Sequence, residues 1–136
     1  MKMKHKIIFI LPAIIVTLLI FIFSNQSHPP FIDLGFQWND KVWHLLAYFA
    51  YGITLIFFLL GNFENIKIKR AILYILIFGA IFGVTDEIHQ SLIPGRDAEI
   101  FDWVADCLGI ALSLSLISTL NKFISKLKFN FIHSSD

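Results

Sequence analysis

A single cysteine, Cys107, stands among 136 residues. It excludes an intramolecular disulfide and any zinc finger built on cysteines. Charge is scarce: Asp, Glu, Lys and Arg make up 15% of the chain, against roughly 25% in an average soluble domain. The net charge is +1, and there is no basic helix or RNA-binding signature, so nothing favours a nucleic-acid partner. There is no H-E-x-x-H run, which excludes a zincin. No serine or cysteine stands in a recognisable nucleophile motif, so acyl transfer is disfavoured. No internal repeat and no low-complexity segment is visible.

What fills the chain instead is apolar. The hydrophobic share is 57% and the mean hydropathy is +0.73. Residues 7–23 run for 17 positions without a charge, which a soluble core of this size does not need. Four spans are expected, at about 7–23, 42–60, 71–92 and 101–120, each near the roughly 20 residues that cross ~30 Å of hydrocarbon as a helix. The expected fold is therefore all-α, one domain over 1–136, a four-helix transmembrane bundle. Breaks fall at 24–39 with Pro29, Pro30 and Gly35, at 61–70, at Pro94-Gly95-Arg96, and in a polar tail from Asn121. The first span carries Lys2, Lys4 and Lys6 before it, but its length and the lack of an A-x-A site read as a retained anchor rather than a signal peptide.

Lysine and arginine alternate between the loops. Nine lie on the N-terminal flank, the 61–70 loop and the tail, and two, Lys41 and Arg96, on the other side. Both termini are expected to be cytoplasmic. Eight of the ten acids then fall at the outer ends. Counted from Ala71, Asp86 lies about 22 Å along a ~30 Å span, which places it inside hydrocarbon. An ionised acid near mid-bilayer costs roughly 2.5–3.5 kcal/mol, so such residues are expected to face the bundle and its partners.

At 100° per residue, Lys41, His44, Tyr48, Tyr51 and Gly52 share one stripe. Gly79, Gly83, Asp86 and Gln90 share a second, and Asp102, Asp106, Gly109 and Ser113 a third. Each polar stripe continues into small residues, which let helices approach closely in lipid. The three stripes are expected to face one another around an outward polar funnel. Glu87 and His89 flank the Asp86–Gln90 line on opposite sides. Asp33, Asp97 and Glu99 are expected to be merely solvated, and Trp38, Trp43 and Trp103 to mark the outer interface.

The ligand-binding candidates are Lys41, His44, Asp86, Glu87, Gln90, Arg96, Asp102 and Asp106. In one reading they hold an amphiphile, Arg96 gripping an anionic group with its planar fork. In another they form an enzyme, with His44 as acid or base, Asp86 or Asp102 orienting it and Arg96 stabilising developing charge. A small proton- or ion-coupled transporter and a purely structural polar knot also stay open. So does a metal held by His44, Asp86, Asp102 and Asp106; no metal or cofactor is assigned. The expected partners are the bilayer and an amphiphilic ligand.

Three motifs read together: Asp40-Lys41-x-x-His44, then Asp86-Glu87-x-x-Gln90 with Pro94-Gly95-Arg96, then Asp102-x-x-Ala105-Asp106-x-x-Gly109. With Ser24-Asn25-Gln26 before them, they resemble the VanZ-like family of bacterial integral membrane proteins, from Phe23 to Gly109. The resemblance implies a bacterial cell-envelope protein of the plasma membrane. The family is named for a member linked to teicoplanin resistance; a lipid-linked precursor or a lipoglycopeptide is the kind of amphiphile that the binding reading calls for. No reaction comes with the resemblance. Asp106 departs from the pattern, which often has Asn at that position.

Overall fold

Each apolar run becomes a helix longer than the run itself. The structure is a computed structural model and describes residues 3–27 and 32–133. Lys2, Pro29 and Pro30, which carry part of the flank charge and the first break, lie outside the described residues. The elements are α1 (Met3–Ser24), α2 (Asn39–Asn62), α3 (Ile68–Gln90) and α4 (Ile100–Ser113), then a 3-10 turn at Leu114–Leu116 and α5 (Ile117–His133). The last three form one continuous span, Ile100–Phe131, so among the described residues four helices are long and apolar enough to cross a membrane. The described residues form helices and no strand, and the four spans fit a multi-pass membrane protein. At 1.5 Å per residue the first three helices are about 33–36 Å long, enough for ~30 Å of hydrocarbon.

The fourth span corrects an expectation. The tail after Asn121 is helical to His133. Its lysines hid an apolar line: Ile117 and Ile124 are buried, and Leu120, Leu127 and Phe131 pack on the same cluster. Those spacings of three and four residues are one helix face. The lysines take the other positions, and Lys128 Nζ donates to the Leu60 carbonyl at 2.5 Å, satisfying one acceptor at the end of α2.

Helix α2 is the hub, touching every other helix and packing most extensively on α4. Gly109 explains how close that pair comes. A Cβ there would run into the Leu45 carbonyl and the Phe49 amide, both backbone. Lower along the same seam Gly52 lies against Ser113, and on the α3 side Gly79 takes Ile110. Without a hydrophobic drive between helices in lipid, this close packing supplies the association. Around it Phe9, Tyr48, Ile56, Ile75, Ile110 and Ile124 are fully buried. Apolar faces of α1 (Ile14, Leu18, Ile22) and α3 (Leu73, Ile77, Ile81) stay exposed, as lipid-facing surfaces do. Hydroxyls in the spans return to their own helices: Thr54 donates to Tyr51, Thr85 to Phe82 and Ser113 to Ile110.

The turn after α3 is set by Gly95, whose φ of 82° a residue with a Cβ rarely adopts. The Arg96 amide closes the turn on the Ile93 carbonyl at 3.0 Å. That turn folds Arg96 back against the end of α3.

Candidate functional site

The three polar stripes meet at one end of the bundle, where α1 and α3 end and α2 and α4 begin. Lys41, in the first turn of α2, is the cation on one side. Its Nζ lies 2.8 Å from Asp40 Oδ2, 2.5 Å from Glu99 Oε2 and 2.9 Å from Asp102 Oδ1. Asp102 is 4% exposed; Lys41 is the charge that makes its burial tolerable.

One turn further in, His44 Nδ1 stands 2.9 Å from Asp106 Oδ1 and 3.9 Å from Glu87 Oε1. Asp106 has no exposed surface, and Asp86 and Glu87 are buried. Glu87 Oε2 accepts the Glu99 amide at 2.8 Å, which ties the α3 end to the α4 start. Ligand atoms of His44, Asp86 and Asp106 lie within 4.8 Å of one another, and so do those of His44, Glu87 and Asp102. Four buried acids thus surround one imidazole. Their remaining oxygens are not all satisfied: Glu87 Oε1 and Asp106 Oδ2 have no hydrogen-bond partner, while the hydroxyl of buried Tyr48 lies against Asp86. An unpaired buried polar group costs roughly 1–3 kcal/mol, and a charged one more. Such a constellation is suited to holding a cation or moving a proton.

The third layer runs through Gln90, which is 1% exposed. Its Nε2 donates to Asp86 Oδ2 at 3.2 Å and reaches Ser24 Oγ at 3.5 Å. Its Oε1 accepts from the Arg96 guanidinium. Beside this relay opens a cavity of about 320 Å³ between α1 and α2. Leu19, Ile20, Phe23, Leu46 and Ala47 form its apolar walls, and His44, Tyr48, Asp86, Gln90 and Arg96 its polar end.

All eight ligand candidates, Lys41, His44, Asp86, Glu87, Gln90, Arg96, Asp102 and Asp106, therefore lie in one cluster. One expectation needs correction, at Glu99. Among the described residues the Arg96 guanidinium bonds to Gln90 and pairs with no carboxylate. The turn carries it to the amide side of α3. Glu99 is not merely solvated; it pairs with Lys41 and lends its amide to Glu87. Ser24 is buried against Gln90, a contact across 66 residues that brings the Ser24-Asn25-Gln26 segment into the site. His89 leaves the cluster and stacks on Phe21 with ring centroids 4.8 Å apart. Trp103 ties α4 to α3, its indole N–H donating to the Ala80 carbonyl at 3.1 Å.

Comparison with known proteins agrees with the family resemblance. The family model described as VanZ/LLP1 matches residues 9–121. An uncharacterized protein of Schizosaccharomyces pombe is 36% identical over 78 residues, a stretch covering 57% of this chain and 46% of the yeast protein. The chain thus spans less than half the length of that relative. No solved structure matches.

Proposed function

The chain belongs to the VanZ/LLP1 family of membrane proteins, and from that premise we propose that it binds an amphiphile with an anionic head group in the groove between α1 and α2. One observation carries this reading: the apolar groove ends on Arg96, a cation that Gln90 orients and no carboxylate neutralises among the described residues. A guanidinium held by one acceptor keeps donors for a phosphate or carboxylate, which its planar fork fits. Asp86 and Tyr48 at the same end suit hydroxyls of the head group. The membrane is the bacterial plasma membrane, with both termini inside and the groove in the outer half, the orientation that the lysine and arginine split supports. In that setting a lipid-linked envelope precursor fits the groove, and a lipoglycopeptide such as teicoplanin is the narrower version. The yeast relative favours the broader one, a phosphorylated amphiphile found in bacterial and eukaryotic membranes alike.

The test uses purified protein in a neutral detergent. Dodecyl phosphate should raise its melting temperature, because ligand at a hundredfold excess over Kd stabilises by about 2.7 kcal/mol. Dodecylphosphocholine should not. Equal response to both would sink the proposal.

A second reading, an enzyme acting on the same head group, has its own observation. Asp106 holds one ring nitrogen of His44, and His44 lines the groove, the arrangement that orients a general base. His44→Gln separates the two: binding persists in part under the first reading, and turnover of a phosphorylated amphiphile vanishes under the second.

A further inference from the structure

The geometry points to a divalent-cation site formed by His44, Asp86 and Asp106 at the polar end of the groove. Three helices deliver the three ligands, and their donor atoms lie within 4.8 Å of one another. Ligands at about 2.1 Å from an ion stand about 3 Å apart when adjacent and about 4.2 Å apart when opposed. The 2.9 Å between His44 Nδ1 and Asp106 Oδ1 already equals an adjacent pair. Asp86 offers a carboxylate oxygen within 4.8 Å of both, a gap that side-chain rotation can close.

A further observation asks for a ligand here. Asp106 Oδ2, on a residue with no exposed surface, has no hydrogen-bond partner, while the Tyr48 hydroxyl in the same groove lies against Asp86. Charge points the same way. Lys41 serves Asp40, Glu99 and Asp102. Among the described residues no lysine or arginine pairs with Asp86 or Asp106, and Arg96 reaches Asp86 only through Gln90. Two unbalanced carboxylates in a low-dielectric site are costly. A divalent ion balances both, in exchange for the proton shared by His44 and Asp106. One imidazole with two carboxylates suits Mn²⁺ or Zn²⁺ among first-row ions.

The role of the ion rests on the head-group reading above: seated in the polar end, it is a second positive anchor beside Arg96. Binding of the ion itself is measured separately. Chelator-stripped protein in neutral detergent is titrated with Mn²⁺, followed by paramagnetic resonance, and with Zn²⁺, followed by calorimetry. The expected result is one tight ion per chain, with a nitrogen coupling on bound Mn²⁺ from the imidazole. Asp86→Asn and Asp106→Asn, nearly isosteric, should each weaken binding at least tenfold, and Asp33→Asn should not. Absence of a tight ion, absence of the nitrogen coupling, or affinities unchanged in both variants would overturn the site; the coupling needs no variant. Dodecyl phosphate is then added with and without Mn²⁺. A tight ion with no dodecyl phosphate uptake upholds the ion and defeats the groove reading. Uptake indifferent to Mn²⁺, with no tight ion, defeats the ion and leaves the groove reading standing.

Discussion

His44 Nδ1 and Asp106 Oδ1 meet at 2.9 Å across 62 residues of sequence. The contact requires α2 and α4 to lie backbone against backbone, because both side chains are short. Gly109, one turn beyond Asp106, provides that approach.

Gly109→Ala should therefore be among the most damaging single-methyl changes in the chain. Its Cβ would collide with backbone atoms at Leu45 and Phe49, which cannot rotate away. Overpacking typically costs about 1–3 kcal/mol, and backbone neighbours put this site at the upper end. Gly79→Ala meets only the Ile110 side chain and should cost less. Melting temperatures in detergent would check the order; equal values would contradict the close-approach argument.

Lys41→Met leaves Asp102 buried without its cation. Removing one member of a buried pair costs roughly 3–5 kcal/mol. The double variant Lys41→Met with Asp102→Asn should recover much of that loss. A double-mutant cycle on unfolding free energies reads the coupling, and strict additivity would refute the pairing.

Arg96→Lys keeps the charge and loses the fork. The protein should fold and insert normally, since Arg96 pairs with no buried acid among the described residues, yet bind dodecyl phosphate at least tenfold more weakly. Undiminished binding at normal abundance would remove Arg96 from the head-group site.

The proposed orientation is open to labelling. With Cys107 replaced by serine, a cysteine at exposed Gln37 should react with an impermeant reagent on intact cells, and one at exposed Asn65 should not. The reverse pattern would invert the bundle and put the groove in the inner half.

Much of the architecture was legible from single residues. The expected spans at 7–23, 42–60 and 71–92 sit inside or nearly on α1, α2 and α3. The stripe that joined Asp102, Asp106, Gly109 and Ser113 is buried along its whole length, because helical spacing and the cost of an acid in lipid constrain the same face. What escaped detection was non-local or hidden by composition. Ser24 and Glu99 find their partners only through tertiary packing. The Pro94-Gly95 turn was legible as the element that aims Arg96, but Gln90 as its acceptor was not. The last helix was obscured because its lysines outweigh its apolar line in any count of composition, though not in a count of phase.

The groove between α1 and α2 has leucines on both lips, Leu19 and Leu46, each nearly half exposed on the lipid-facing side. A tail that slides between them exchanges one hydrocarbon surrounding for another, so its transfer yields almost no free energy. Affinity would then be insensitive to acyl length and almost wholly a property of the head. Ligand would arrive along the plane of the bilayer, and occupancy would follow its mole fraction among lipids rather than its molarity in water.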